Sequence, residues 1–143
     1  MLGELLIPAG FVLAIDQASK QLICVRFARA RRSQPPIGWK QRLRPLLNKT
    51  IAQGVVRDRH ALLVLWSLAA VGTVLLVCYA PPLQSWTARV GLGAALGGAT
   101  GNLIDQIRRG AVMDFIDLRI WPVFNLADAF IVVGLGVALW SIQ

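Results

Sequence analysis

At 143 residues the chain has the length of one domain, yet 56% of its residues are hydrophobic and only 15% are charged, with a mean hydropathy of +0.60. A soluble domain typically has about 45–50% apolar and about 25% charged residues, and so short a chain has too little interior to bury the surplus, which makes lipid the implied solvent. The net charge of +8 is unevenly placed, with ten of the fifteen Lys and Arg lying between Arg26 and Arg59; no nucleic-acid motif accompanies them, so they read as a segment lying against lipid headgroups and no nucleic-acid partner is expected.

Four transmembrane helices are predicted, at about 5–27, 61–80, 86–107 and 121–141. The first is apolar to Ile15 and then carries Asp16 and Lys20. Glu4 is the only charge before that run and no small-residue cleavage site follows it, so the reading is a retained helix and not a cleaved leader. The stretch 28–60 contains Pro35, Pro36, Gly38, Pro45 and Gly54, too broken for a long helix. It is expected to be irregular or short-stranded.

Ala61–Tyr79 holds no charge in nineteen residues, about 28 Å of helix against a hydrocarbon core of ~30 Å. Pro81 and Pro82 end it, since proline lacks a donor and disfavours helix in the preceding residue. The third helix carries Gly93, Gly97 and Gly101 at four-residue spacing, with Ala94, Gly98 and Asn102 on the adjoining row. Small residues at that interval let backbones approach closely in lipid. Trp121 and Trp140 bracket the fourth, with Pro122 suited to its first turn and Asp128 about 10 Å further along the axis.

Cys24 and Cys78 fall near opposite membrane faces and are not expected to bridge. His60 is the sole histidine, which excludes a His-Glu-x-x-His zinc site, and no metal or cofactor is expected.

Ionisable groups inside spans are costly and face a bundle interior or a water-filled cavity. Here they cluster. Asp16 and Lys20 have the spacing and order of a helical ion pair. Asn102, Asp105 and Gln106 share one face at the end of the third helix; Asp114 and Asp117 lie in the following connection; Asn125 and Asp128 are three apart. Two carboxylates held close in a low dielectric share a proton, so that one activates water while the other polarises a carbonyl. Asp114 and Asp128 suit that chemistry if the connection folds back over the fourth helix. A purely structural role or an ion pathway fits the same residues.

Four passages, in order, resemble signal peptidase II: Asp16-Gln-Ala-Ser-Lys20, Gly97-Gly-Ala-Thr-Gly-Asn-Leu-Ile-Asp105, Gly110-Ala-Val-Met-Asp114-Phe-Ile-Asp and Phe124-Asn-Leu-Ala-Asp128. The resemblance implies an all-α membrane protein, a four-transmembrane-helix bundle in which residues 1–143 form one peptidase domain. It implies a bacterial inner-membrane aspartyl endopeptidase that removes signal peptides from diacylglyceryl-modified prolipoproteins, just before the lipidated cysteine. Its partners would be those substrates and membrane lipids. Asp114 and Asp128 match the catalytic pair, Asn102, Asp105 and Asn125 match site-shaping residues, and Asp16 and Lys20 match a polar pair on the first helix.

Two departures stand out. Gln106 follows Asp105 where the family has arginine, which removes a bidentate donor; Arg108 or Arg109 is the candidate to compensate, though neither occupies the same helical position. Asn48-Lys-Thr-Ile-Ala-Gln-Gly54 only faintly echoes the family's substrate-binding passage. The Lys/Arg bias puts 26–59 in the cytoplasm, whereas the resemblance puts it outside; the second is adopted because the acids must face the lipidated cysteine. An ion-conducting protein and an inactive paralogue that binds lipidated peptides are the alternatives.

Overall fold

The computed structural model describes residues 2–32, 59–81, 85–120 and 122–141. Four helices account for most of them: α1 Leu2–Arg32, α2 Arg59–Tyr79, α3 Trp86–Arg109 and α4 Leu126–Trp140. No strand appears among the described residues. Both ends of the stretch expected to be irregular, 28–32 and 59–60, are instead helical, as the end of α1 and the start of α2; the shape of the rest and the place of Asn48 lie outside the described residues.

Helix α3 is the centre of the bundle, packing most extensively on α4 and α1 and less on α2. Its glycines explain the closeness. A Cβ at Gly93 would strike the carbonyl oxygen of Leu5, and one at Gly97 that of Ala9, so this row lies backbone to backbone on α1. The adjoining row faces α4, where a Cβ at Gly98 would come within 2.5 Å of Ala127 O and one at Gly91 within 2.5 Å of Gly134 O. The predicted small-residue face is therefore two faces, each without side chains to hold the helices apart. Rising residue numbers match between α3 and α1 and oppose between α3 and α4, so α1 and α3 run parallel and α4 antiparallel to both. The C-terminal ends of α1 and α3 and the N-terminus of α4 meet at one end of the bundle.

Burial is inverted relative to a water-soluble fold. Among the described residues, the five largest fully buried side chains include four polar ones, Lys20, Asn125, Asp16 and Asp105, and one apolar one, Leu5. A small apolar core of Leu5, Leu92 and Ala138, with Val74 against it, ties the four helices together. Ile7, Leu68, Leu139 and Trp140 point outward and are mostly exposed. That pattern suits a lipid surround, where large apolar groups gain nothing by turning inward. Among the described residues, one helix is both long and apolar enough to cross a membrane, through Leu2–Arg26.

The fourth helix corrects the expectation in one respect that matters for the site. It begins at Leu126, not at 121, and its fifteen residues span about 22 Å. Pro122 lies before the helix, in a segment that runs back along the α3–α4 connection: Ile116 and Phe124 form an antiparallel bridge, exchanging N–H···O contacts of 2.8 and 3.1 Å. Asn125 is the N-cap, and its side chain and that of Asp128 each bond the other's backbone N–H in a capping box. The three-residue spacing of these two polar groups is thus a helix-start signal. Asp128 sits in the first turn of α4 and not deep along a helix.

Candidate active site

The connection after α3 is shaped by local rules. Gly110 caps α3 in the left-handed conformation, with φ 72°, and its N–H bonds Gln106 O. That is the glycine C-cap geometry, which residues with a Cβ rarely adopt. Asp117 accepts the Arg119 N–H at 2.8 Å and closes a turn in which Arg119 has φ 62°. Asp117 is exposed and serves the turn. Between these two features the chain doubles back, and Asp114 arrives beside the start of α4.

Asn125 joins the two candidate acids. Its amide nitrogen donates to Asp114 Oδ1 at 2.8 Å, while its amide oxygen accepts the Asp128 N–H at 3.0 Å and its own N–H reaches Asp128 Oδ2 at 3.2 Å. Asn102, from α3, donates to Asp128 Oδ1 at 2.8 Å. Both oxygens of Asp128 therefore receive N–H donors, and the N-terminus of α4 points its dipole at the same carboxylate. Asp114 is different. Burial pushes its carboxyl above the usual range; the Asn125 amide opposes this, the Asp128 charge adds to it, and Lys20 and Asp105 act weakly in opposite directions.

Behind this pair lies a charge cluster. Lys20 Nζ is 2.7 Å from Asp16 Oδ2 and 2.7 Å from Asp105 Oδ2, with all three side chains essentially inaccessible. The Asp105 oxygen meets the ammonium as a contact ion pair without an aligned hydrogen bond. Lys20 also donates to Asn102 Oδ1 at 3.3 Å, and Asn125 donates to that same oxygen at 3.1 Å. These contacts fix which way each amide faces: the oxygen of Asn102 must meet two donors, which turns its nitrogen toward Asp128. Asp16 Oδ1 accepts the Ala127 N–H at 3.1 Å, so a carboxylate on α1 caps α4. The Gly101 Cα lies so near Asp16 Oδ2 that a Cβ there would be 2.5 Å away.

The structure thus brings together Asp16, Lys20, Asn102, Asp105, Asn125, Asp114 and Asp128. It leaves out Gln106, which turns its amide toward Gly110 O at 3.4 Å on the exposed side. Two further side chains complete the cluster, of which Gln17 went unrecognised in the sequence. Gln17 donates toward Asp16 at 3.2 Å and Gly101 O at 3.3 Å, and Arg109 reaches Asp105 Oδ1 at 3.2 Å. The four-residue step from Asp105 to Arg109 is itself an ion-pair signal. Cys24 is a free thiol and its Sγ lies 3.8 Å from Met113 Sδ. Among the described residues no group of three or more metal-ligating side chains occurs.

Fold and site together define a helical membrane protein with a polar end built from clustered acids and amides. Comparison with known proteins makes the class specific. A family model described as signal peptidase (SPase) II matches residues 9–143. The chain is 42% identical over 138 residues to the lipoprotein signal peptidase of Moorella thermoacetica, across 96% of this chain and 91% of that one. It is 35% identical over 131 residues to that of Pelotomaculum thermopropionicum, across 92% and 86%. Its fold matches a solved bacterial membrane enzyme, determined by the in meso method at 1.9 Å resolution, with TM-score 0.71 and 19% identity over 100% of this chain and 94% of that one. The chain belongs to the signal peptidase II family, and it is a protease.

Proposed function

We propose that this bacterial membrane protein is an aspartyl endopeptidase that removes signal peptides from diacylglyceryl-modified prolipoproteins, cutting on the amino side of the lipidated cysteine, with Asp114 and Asp128 as its catalytic pair. Prolipoprotein processing is supported by the family and by relatives named as lipoprotein signal peptidases. One observation carries the assignment of the pair: Asn125 holds both carboxylates at once. In this reading Asp128, surrounded by donors, is the anion and Asp114, raised by burial, keeps the shared proton.

The chemistry follows without a cofactor. Asp128 takes a proton from water as the oxygen attacks the scissile carbonyl, and Asp114 donates its proton to the carbonyl oxygen as negative charge develops. Collapse of the tetrahedral intermediate returns a proton to Asp114 and breaks the C–N bond, while Asp128 passes its proton to the leaving amine. One water is consumed, and the products are the signal-peptide carboxylate and a new amino terminus on the lipidated cysteine.

All four helices cross the membrane in this reading, and the end of the bundle that carries the acids faces the extracytoplasmic side of the inner membrane. The geometry supporting it is that α1 and α3 end, and α4 begins, beside the acids. Reporter fusions at Gln143 test the orientation, with a cytoplasmic C-terminus expected. The function itself is tested by incubating the purified protein with a lipidated prolipoprotein. Cleavage by the native chain and none by Asp114→Asn is the expected result; full activity in Asp114→Asn or Asp128→Asn ends the assignment. The family match gives the ion-conducting alternative no support.

A further inference from the structure

The buried cluster behind the catalytic pair contains two acids, Asp16 and Asp105, and one ammonium, Lys20. Left alone it carries one surplus negative charge, at a depth where unpaired charge is strongly unfavourable. Asp105 is the less well bonded of the two acids: its side chain is about 1% exposed, Oδ2 meets Lys20 without an aligned hydrogen bond, and Oδ1 accepts a long hydrogen bond of 3.5 Å from Gln17. The second cation comes from Arg109, whose guanidinium is 3.2 Å from Asp105 Oδ1 and is itself partly open to solvent. It reaches in from the last turn of α3, on the same side as the connection carrying Asp114, and its other contact is Met113, the neighbour of Asp114.

We propose that Arg109 is a positioning residue for proteolysis: by neutralising Asp105 it balances the buried cluster, holds Lys20 available to Asn102, and so sets the field in which Asp114 and Asp128 share their proton. The inference rests on that pair being catalytic. The groups facing the pair are Asp16 and Lys20 from α1 and Asp105 and Arg109 from α3, with Asp114 on the connection and Asp128 on α4. The charges of Lys20 and Asp105 both bear on Asp114, and Arg109 acts through its contact with Asp105. Gln106 has no part in this, because its amide turns away.

Removing a cation makes the neighbouring carboxyls harder to ionise and moves both limbs of a bell-shaped rate profile to higher pH; removing an anion does the reverse. The test is the pH profile for cleavage of a lipidated prolipoprotein by the full chain in lipid–detergent micelles. Arg109→Gln is expected to move the profile alkaline by about half a pH unit or more, and Arg109→Lys to restore it. Asp105→Asn is expected to move it the other way, and combining Asp105→Asn with Arg109→Gln to return it near the native position. If Arg109→Gln fails to accumulate, Asp105→Asn and the charge-balanced double variant carry the same comparison. A uniform fall in turnover with the profile unmoved, or shifts of the same sign in Arg109→Gln and Asp105→Asn, overturns the proposal. Asp114→Asn runs beside them: if it cleaves at the native rate, the catalytic pair is misassigned, a failure distinct from an unmoved profile in Arg109→Gln.

Discussion

The two halves of α3 do opposite things with the same closeness. From Gly91 to Gly98 the helix meets its neighbours through absent side chains, and glycine against a carbonyl is the contact. From Gly101 to Arg109 it meets them through hydrogen bonds and ion pairs that cross to α1, the connection and α4. Gly101 belongs to both, since its missing Cβ is what admits the Asp16 carboxylate. The glycine half brings three backbones close enough that the polar half has no room for water-separated charges. Packing in one region therefore sets the electrostatics of the other, and the two regions should fail differently when altered.

The largest effects belong to the polar end and fall on chemistry. Asp114→Asn and Asp128→Asn each remove a proton-transfer group, a loss of about 10²–10⁴ in rate, while the isosteric amide leaves the bundle folded. Cleavage assays paired with thermal denaturation in detergent separate the two. Lys20→Met comes next and crosses the divide, because it strands Asp16 and Asp105 without their ammonium. Removing one partner of a buried ion pair costs about 3–5 kcal/mol, so both the unfolding temperature and turnover should fall. An unchanged unfolding temperature would mean that the ammonium is not what holds the cluster together.

Gly97→Val probes the other half. Its branched side chain would meet the Ala9 backbone, which cannot rotate away, and overpacking of this kind costs about 1–3 kcal/mol. The variant is expected to lose stability, with activity falling only as the folded fraction falls. If turnover per folded molecule also collapses, the packing half is tuning the site as well as supporting it.

How much of this was legible in the sequence follows from range. The helices, the glycine rows and the Asp16–Lys20 pair are local patterns with periods of three or four residues, and they read correctly. The start of α4 did not, because Trp121 and Pro122 mimic a helix entry in sequence, and only the pairing of Ile116 with Phe124 reveals that the chain is still extended at Phe124. Asn125 and Asp128 stand three apart in the sequence, but a capping box can be recognised only once the start of the helix is known. The capping of α4 by Asp16 joins residues 111 positions apart, and no spacing rule reaches that far. Which of Arg108 and Arg109 reaches the cluster depends on how the end of α3 is turned, and a basic residue in a helix's last turn is already explained by the dipole alone.

Gln106 gives the smallest expected effect and sharpens the contrast most. It is adjacent in sequence to Asp105, one of the most buried charges in the molecule, yet its own amide lies on the exposed side and makes one long contact of 3.4 Å to Gly110 O. The polar half of α3 thus ends at the face, not at the residue number. Gln106→Ala should cost no more than the ~0.5 kcal/mol usual for surface changes, and cleavage of a lipidated prolipoprotein should stay within about twofold of native. A tenfold loss instead, appearing in KM while kcat holds, would mean that substrate draws Gln106 inward on binding, and the boundary between the two regions would then move by one residue toward the solvent.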